Sequence, residues 1–316
     1  MERRKIQLIA GTTYTVSLPK DWVKKNNLKE RSEVLLYERN DRTLVVSPQA
    51  LQQKGLNEIS LNVDGHIKNI DQILFAIYYL GIETVNLFSK SELTKEVKSR
   101  IRKTITHMSG TEISYEDKQK ITIKVLLDKT KVDITQVLYR ITLILDLSIA
   151  GLLGHLDLGE IQSNESEIDR LYHLMAKIVS LSLIDSNILG SSHIRNVSLI
   201  PSYFLIGKKL ENIGDNISSL AVYLSKNNVS FEHKKEILDF IKNEINRSAK
   251  HILQDFPKDF EKADNTKLKA LRDHILQIKE GTILDYLRDT LRYTVDIEEE
   301  IVNMSFYTTL IKQNVL

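Results

Sequence analysis

The stretch "TTYTVSLPKDWVKKNNLKERSEVLLYE", Thr12 to Glu38, decides how the head of this chain is read. Tyr14, Val16 and Leu18 alternate with Thr13, Thr15 and Ser17, the period-2 pattern of a strand with one buried face. Pro19 then suits the first position of a helix, where no N–H is required. "PKDWVKKN" is about two turns long, with Trp22 and Val23 inward and Lys20, Lys24 and Lys25 outward. Asn26-Asn27 is a left-handed stop. Val34–Tyr37 and Thr43–Ser47 form a hairpin across Asn40-Asp41, ended by Pro48.

Forty-odd residues arranged this way cannot bury enough apolar surface alone. The unit therefore predicts pairing with a second copy, and exchanged strands are a low-cost route to a homodimer. Trp22, the single tryptophan, is expected to plug the small core from the same side as Leu18.

Charge is distributed unevenly. Residues 1–31 hold eight basic side chains (Arg3, Arg4, Lys5, Lys20, Lys24, Lys25, Lys29, Arg31) against three acids, a local +5. The whole chain carries +2, so the remainder carries about −3. One end suits an anionic partner and the rest does not. Cysteine is absent, which excludes disulfides and thiolate metal sites and fits a reducing, cytoplasmic setting. "MERRKIQLIAG" lacks the apolar core of a signal peptide. "ITLILDLSIAGLLGHL" (141–156) is too short to cross a bilayer and carries Asp146 and His155, so no membrane insertion is expected and a buried bundle helix is.

Beyond the head, residues 55–128 alternate strand and helix in the order βαβαββ, with a closing hairpin at Asp117-Lys118. That order predicts a small two-layer α/β domain, with scaffolding as its default role. From residue 131 the apolar period is 3.6. Six helices are expected at about 131–153, 159–188, 196–226, 231–255, 262–279 and 282–312, with breaks at Gly154, Gly190, Asn227-Asn228, Pro257 and Gly281. They predict an all-α bundle in two three-helix halves, about 131–226 and 230–314.

Two bundle helices carry acids four residues apart, Glu165 with Asp169 and Glu211 with Asp215. Residues at i and i+4 share a face, so each pair sets like charges side by side at a cost of about 0.2–0.5 kcal/mol. On neighbouring antiparallel helices the four carboxylates would surround a hard cation. Solvated acids held by Lys208 and Lys209 are the alternative, and His173 is a further ligand candidate or a hydrogen-bonded histidine. No GxxxxGK[ST], GxGxxG, HExxH, GxSxG or Glu-x-x-His spacing occurs, and we read the chain as a non-enzyme.

Two resemblances follow from these motifs. The "Y-T-V-S-L-P-K-x-W" core, the "N-N-L-K-x-x-S-E-V" step and the closing "L-V-V-S-P" resemble the AbrB/MazE/SpoVT swapped-hairpin family along residues 1–50. The resemblance implies a β-barrel of intertwined hairpins, a dimer, and DNA contact through Arg3, Arg4, Lys5, Lys20, Lys24 and Lys25. Solvating charges on a pure dimerisation unit remain the alternative. "E-x-E-I-D-R-L" and "L-E-N-I-G-D-N-I-x-x-L-A" resemble the E(D)xxxD metal motifs of the PhoU phosphate-uptake regulators across residues 131–316. That resemblance implies two three-helix repeats, metal ions (Mg, Mn, Zn or Fe) at Glu165, Asp169, Glu211 and Asp215, and control of phosphate uptake. In the second repeat, aligning Asp296 with Asp215 puts Arg292 where Glu211 stands, and Asp285 with Asp289 is a shifted pair. Asp289 and Asp296 are therefore the weaker metal candidates. The expected protein is a DNA-binding dimeric regulator. Its rivals are an adaptor acting on a phosphate ABC transporter or its regulators by contact alone, and a metal-storage bundle.

Overall fold

The computed structural model describes residues 3–38, 43–48, 57–254 and 260–312. The chain divides into two compact units, Met1–Gly55 and Leu56–Leu316.

In the first unit, β1 (Gln7–Ile9) and β2 (Thr13–Thr15) pair antiparallel with Leu8 opposite Tyr14. Ala10 and Gly11, both at positive φ, are the central residues of the turn within the three-residue connection 10–12, in which Thr12 N–H donates to the Ile9 carbonyl at 3.3 Å. Two left-handed central residues give the turn whose twist matches that of the strands. α1 (Lys20–Lys25) follows. Pro19 stands just before the helix as its N-cap with ψ at 131°, one position earlier than expected. Asn27 is left-handed (φ 53), as the Asn26-Asn27 stop predicts. β3 (Leu35–Glu38) and β4 (Leu44–Ser47) form the second antiparallel hairpin, with Leu36 opposite Val46. Its Asn40-Asp41 turn lies outside the described residues.

The two hairpins remain separate two-stranded sheets. Among the described residues of this unit, Ser47 is the one buried side chain. Tyr14 is 72% exposed, Ile6 71%, Leu36 61% and Leu44 58%. Of the inward strand face expected at Tyr14, Val16 and Leu18, Tyr14 and Val16 are therefore exposed among the described residues, and Leu18 and Trp22 are only half-buried. An isolated two-stranded hairpin is marginal in water.

The second unit begins with a four-stranded sheet, order β5-β6-β8-β7, built from β5 (Glu58–Asn62), β6 (Thr84–Phe88), β7 (Thr111–Glu116) and β8 (Lys120–Val125). β5 and β6 run parallel and the other pairings are antiparallel. Asp117 makes the β7–β8 turn by accepting from the Gln119 and Lys120 N–H groups. α2 (Ile70–Tyr79) and α3 (Lys95–Thr106) share one apolar core with the sheet, centred on Leu74, Leu87, Ile101, Ile121 and Ile123.

The helical part comprises α4 (Ile134–Leu153), α5 (Leu158–Ser182), α6 (Ser186–Ser191), α7 (Ile200–Asn227), α8 (Lys234–Leu253), α9 (Asn265–Leu276) and α10 (Gly281–Lys312). Asp133, Asp157, Asp185 and Asp264 each cap a helix by accepting a backbone N–H, which is why the helices start where they do. The helix expected over 159–188 is split. α5 ends at Ser182, and Asp185 caps the short α6, within which Gly190 lies instead of marking a break. Asn228 ends α7 in left-handed conformation. The break expected at Pro257 falls outside the described residues.

α4 packs with α5 and α7, and α10 packs with α8 and α9. Contacts of α4 with α8 and of α7 with α10 merge both groups into one continuous core. Among the described residues α4 is the one helix long and apolar enough to cross a membrane, and Ile141, Leu145 and Ile149 turn its inner face into that core.

α2 is fixed against α5. Gly81 closes α2 at φ 78, a left-handed conformation that favours glycine, and a Cβ there would come within 2.7 Å of Leu181 Cδ2 and push the leucine tip aside. Lys177 on α5 is buried with its ammonium 4.0 Å from the centre of the Tyr78 ring, and burial pushes it down to about 8. Arg170 donates to Ser109 Oγ at 2.8 Å across the same seam.

Candidate functional site

In the first unit, Arg3, Arg4 and Lys5 precede β1, while Lys20, Lys24 and Lys25 lie on α1. All six side chains are exposed. Lys20 and Lys24 are one helical turn apart, on the same face of α1. Cations in this form suit a phosphate backbone, which needs mobile charge and little geometry.

In the second unit, α5 and α7 carry the acid pairs. α5 presents Glu165 and Asp169, and α7 presents Glu211 and Asp215. The helices come close at Gly207, where a Cβ would overlap the tip of Met175. Glu165, Asp169 and Asp215 converge, each offering an oxygen within 4.8 Å of the others. Glu211 does not join them. Lys208, one turn earlier on α7, meets its two oxygens at 2.6 and 2.5 Å. The same ammonium sits 5.0 Å from the centre of the Tyr172 ring.

The cluster therefore gathers negative charge with one cation at its margin. Burial first, then the charges of Glu165, Asp215 and Glu211, push Asp169 up to about 7, with Lys208 opposing. Burial, then Glu211 and Glu165, push Asp215 up to about 6, although its tip reaches solvent. Like carboxylates held this close share protons near neutrality, and a cation placed among them would take the protons' place. Three oxygen donors and no nitrogen fit a hard ion such as Mg²⁺, Mn²⁺ or Ca²⁺ better than a soft one. Buried Glu298 on α10 provides a contrast. Burial and a hydrogen bond with Glu244 push it upward, but Arg247 meets it at 2.6 Å, so its charge is already answered.

His173 stands apart from the cluster. Its Nδ1 is 2.5 Å from the Tyr79 hydroxyl, and its ring stacks on Phe75 with centroids 3.8 Å apart. Burial pushes it down to about 4, so it is neutral at physiological pH. Its role is to hold α5 against α2. The sequence reading missed His107, at the end of α3, whose ring meets that of His173 edge-on and which feels the charge of Glu165. No spacing in the sequence connects it with α5.

The weaker candidates are placed differently. Asp296 pairs with Lys209 at 2.6 Å, tying α10 to α7. Asp289 lies 3.7 Å from Arg288 and 3.4 Å from Arg292, and Asp285 is 2.9 Å from Arg288. Among the described residues none of these acids belongs to a group of metal-ligating side chains.

Residues 7–53 match the family described as antidote-toxin recognition MazE, bacterial antitoxin. The head is a MazE-like unit. The match spans both hairpins and α1, and at this coarse level it fits a regulator whose head is followed in sequence by a mostly helical region. Comparison with curated proteins and with solved structures finds no match.

Proposed function

We propose that the protein is a dimeric DNA-binding regulator whose helical region senses a cation or a partner. The observation that carries this reading is the head: two hairpins with exposed apolar faces, six exposed cations, and a MazE-like sequence. Two copies interleaving their hairpins would cover Leu8, Tyr14, Leu36 and Leu44 and set two copies of α1 on one surface. That doubles the cationic area offered to a duplex.

The process we assign is phosphate uptake, acting on the upstream DNA of phosphate-transport genes, with a phosphate transporter or its regulators as further partners. The support is the resemblance of the two acid motifs to PhoU regulators. Glu165, Asp169 and Asp215 would hold a hard cation, which supplies positive charge that draws α5 and α7 together. Glu211 and Lys208 would stand beside it as an internal ion pair.

A mobility-shift titration against that DNA, repeated over a salt series, tests the assignment. Each phosphate contact contributes about −0.9 to the slope of log affinity against log salt, so six exposed cations per chain predict a steep slope. Lys20→Glu/Lys24→Glu/Lys25→Glu is expected to weaken binding more than tenfold while leaving the dimer intact. Binding that ignores salt, or that the triple variant retains, would contradict it and favour a head that only dimerises.

A further inference from the structure

The start of α8 and the last turn of α9 bring together three side chains that play no part in the carboxylate cluster. His233 is the N-cap of α8, Glu236 lies in its first turn, and His274 is in the last turn of α9. The two imidazole rings stack with centroids 3.7 Å apart and planes 11° from parallel. Both Nδ1 atoms face one oxygen, Glu236 Oε2, at 3.2 Å from His233 and 3.4 Å from His274. All three ligand atoms lie within 4.8 Å of one another. His274 Nδ1 is itself buried and makes no hydrogen bond.

These separations have a chemical meaning. Metal–ligand bonds of about 2.0–2.1 Å in a tetrahedral zinc site set neighbouring donor atoms about 3.3 Å apart. The two nitrogen–oxygen distances bracket that edge, and on binding one ring would turn out of the stack so that both in-plane lone pairs meet the ion. A buried ring nitrogen that makes no hydrogen bond is costly unless something satisfies it, and a metal ion would bond it directly, where Glu236 Oε2 now stands at 3.4 Å. Imidazole is a ligand for zinc, copper, iron and nickel rather than for magnesium or calcium. His233 and Glu236 are exposed, which leaves a route inward and a fourth position for water.

We propose that His233, Glu236 and His274 form a binding site for a borderline divalent transition ion of the zinc class, distinct from the oxygen-only cluster on α5 and α7. The ion would bridge the beginning of α8 and the end of α9, the outer ends of two successive helices. It would reinforce α9, which is otherwise anchored through Leu268, Leu271 and Ile275. Its occupancy thereby reports metal supply to the second half of the bundle.

The test uses the full chain, stripped with chelator and titrated with Zn²⁺ by calorimetry and with Co²⁺ by visible absorption. The expected result is one equivalent of Zn²⁺ and the intense bands of tetrahedral Co²⁺. Binding should survive Asp169→Asn. It should weaken in His274→Gln and in His233→Asn by more than the roughly 10–100-fold that loss of a mere supporting residue costs. Asparagine at 233 keeps the left-handed backbone there. The two changes lie on different helices, so circular dichroism identifies a folded variant for the comparison. Absence of Zn²⁺ binding, or Zn²⁺ binding at wild-type affinity in either folded histidine variant, overturns the assignment.

Discussion

Asp169→Asn should make the cation-free protein more stable at pH 8 and abolish its stabilisation by Mn²⁺ or Mg²⁺. The carboxyl of Asp169 is pushed from its ordinary 3.8 up to about 7 by burial and by neighbouring acids. A folded-state value raised above the unfolded one means that stability is complete below about pH 4. It is then lost as pH rises through about 7, because the folded protein resists giving up the proton. A shift of about three units corresponds to roughly 4 kcal/mol at most. An amide of the same shape carries no charge and avoids that loss. Asp215 adds to the effect in the same direction, reduced by its contact with solvent. Urea unfolding of wild type and variant from pH 5 to 8, with and without 5–10-fold excess cation over protein, reads both effects. Wild-type stability should fall across this range without cation and recover with it, whereas the variant should fall less, through Asp215 alone, and should not recover with cation. A variant less stable than wild type at pH 8, or one that still gains stability from Mn²⁺, would remove Asp169 from the cation site.

Leu36→Asp should separate the protein into single chains and eliminate DNA binding while leaving the helical region folded. Leu36 is 61% exposed in one chain and lies opposite Val46 on the second hairpin. Burying a leucine contributes about 1.5–3 kcal/mol, and a two-fold assembly carries the substitution twice. The dimer should therefore weaken at least about a hundredfold before the cost of burying a carboxylate is added. The bundle has its own continuous core, so its far-ultraviolet helical signal should be unchanged. A Leu36→Asp protein that remains dimeric and binds DNA would show that the hairpin faces are not the contact.

The head was readable because its signals are local. Alternation at Thr13–Thr15, the Pro19 boundary and the left-handed Asn27 each act within a few residues. The split between α5 and α6 was not readable, because neither glycine nor proline marks it. The Asp185 side chain starts a new helix by taking a backbone N–H that a continuous helix would have used otherwise.

Long-range packing decided the acids. Spacing put Glu165 with Asp169 and Glu211 with Asp215 on shared faces, but Lys208 withdraws Glu211 from the set. His173 was an open ligand candidate in the sequence. Phe75 and Tyr79, nearly a hundred positions earlier, turned it into a packing residue. Arg288 and Arg292 sit one position before and three after Asp289, and they answer its charge. The histidine site left only a partial trace. His233-x-x-Glu236 is the reverse of the Glu-x-x-His spacing that was sought, and His274 reaches it only through the packing of α9.

The central claim is that the head is completed by a second chain. Sedimentation equilibrium of the full-length protein, across micromolar to nanomolar concentrations and at moderate salt, tests it most directly. The prediction is a species of twice the 36.4 kDa chain mass that persists until high dilution. A folded species of 36.4 kDa at every concentration would contradict it, and the shared cationic surface would fall with it.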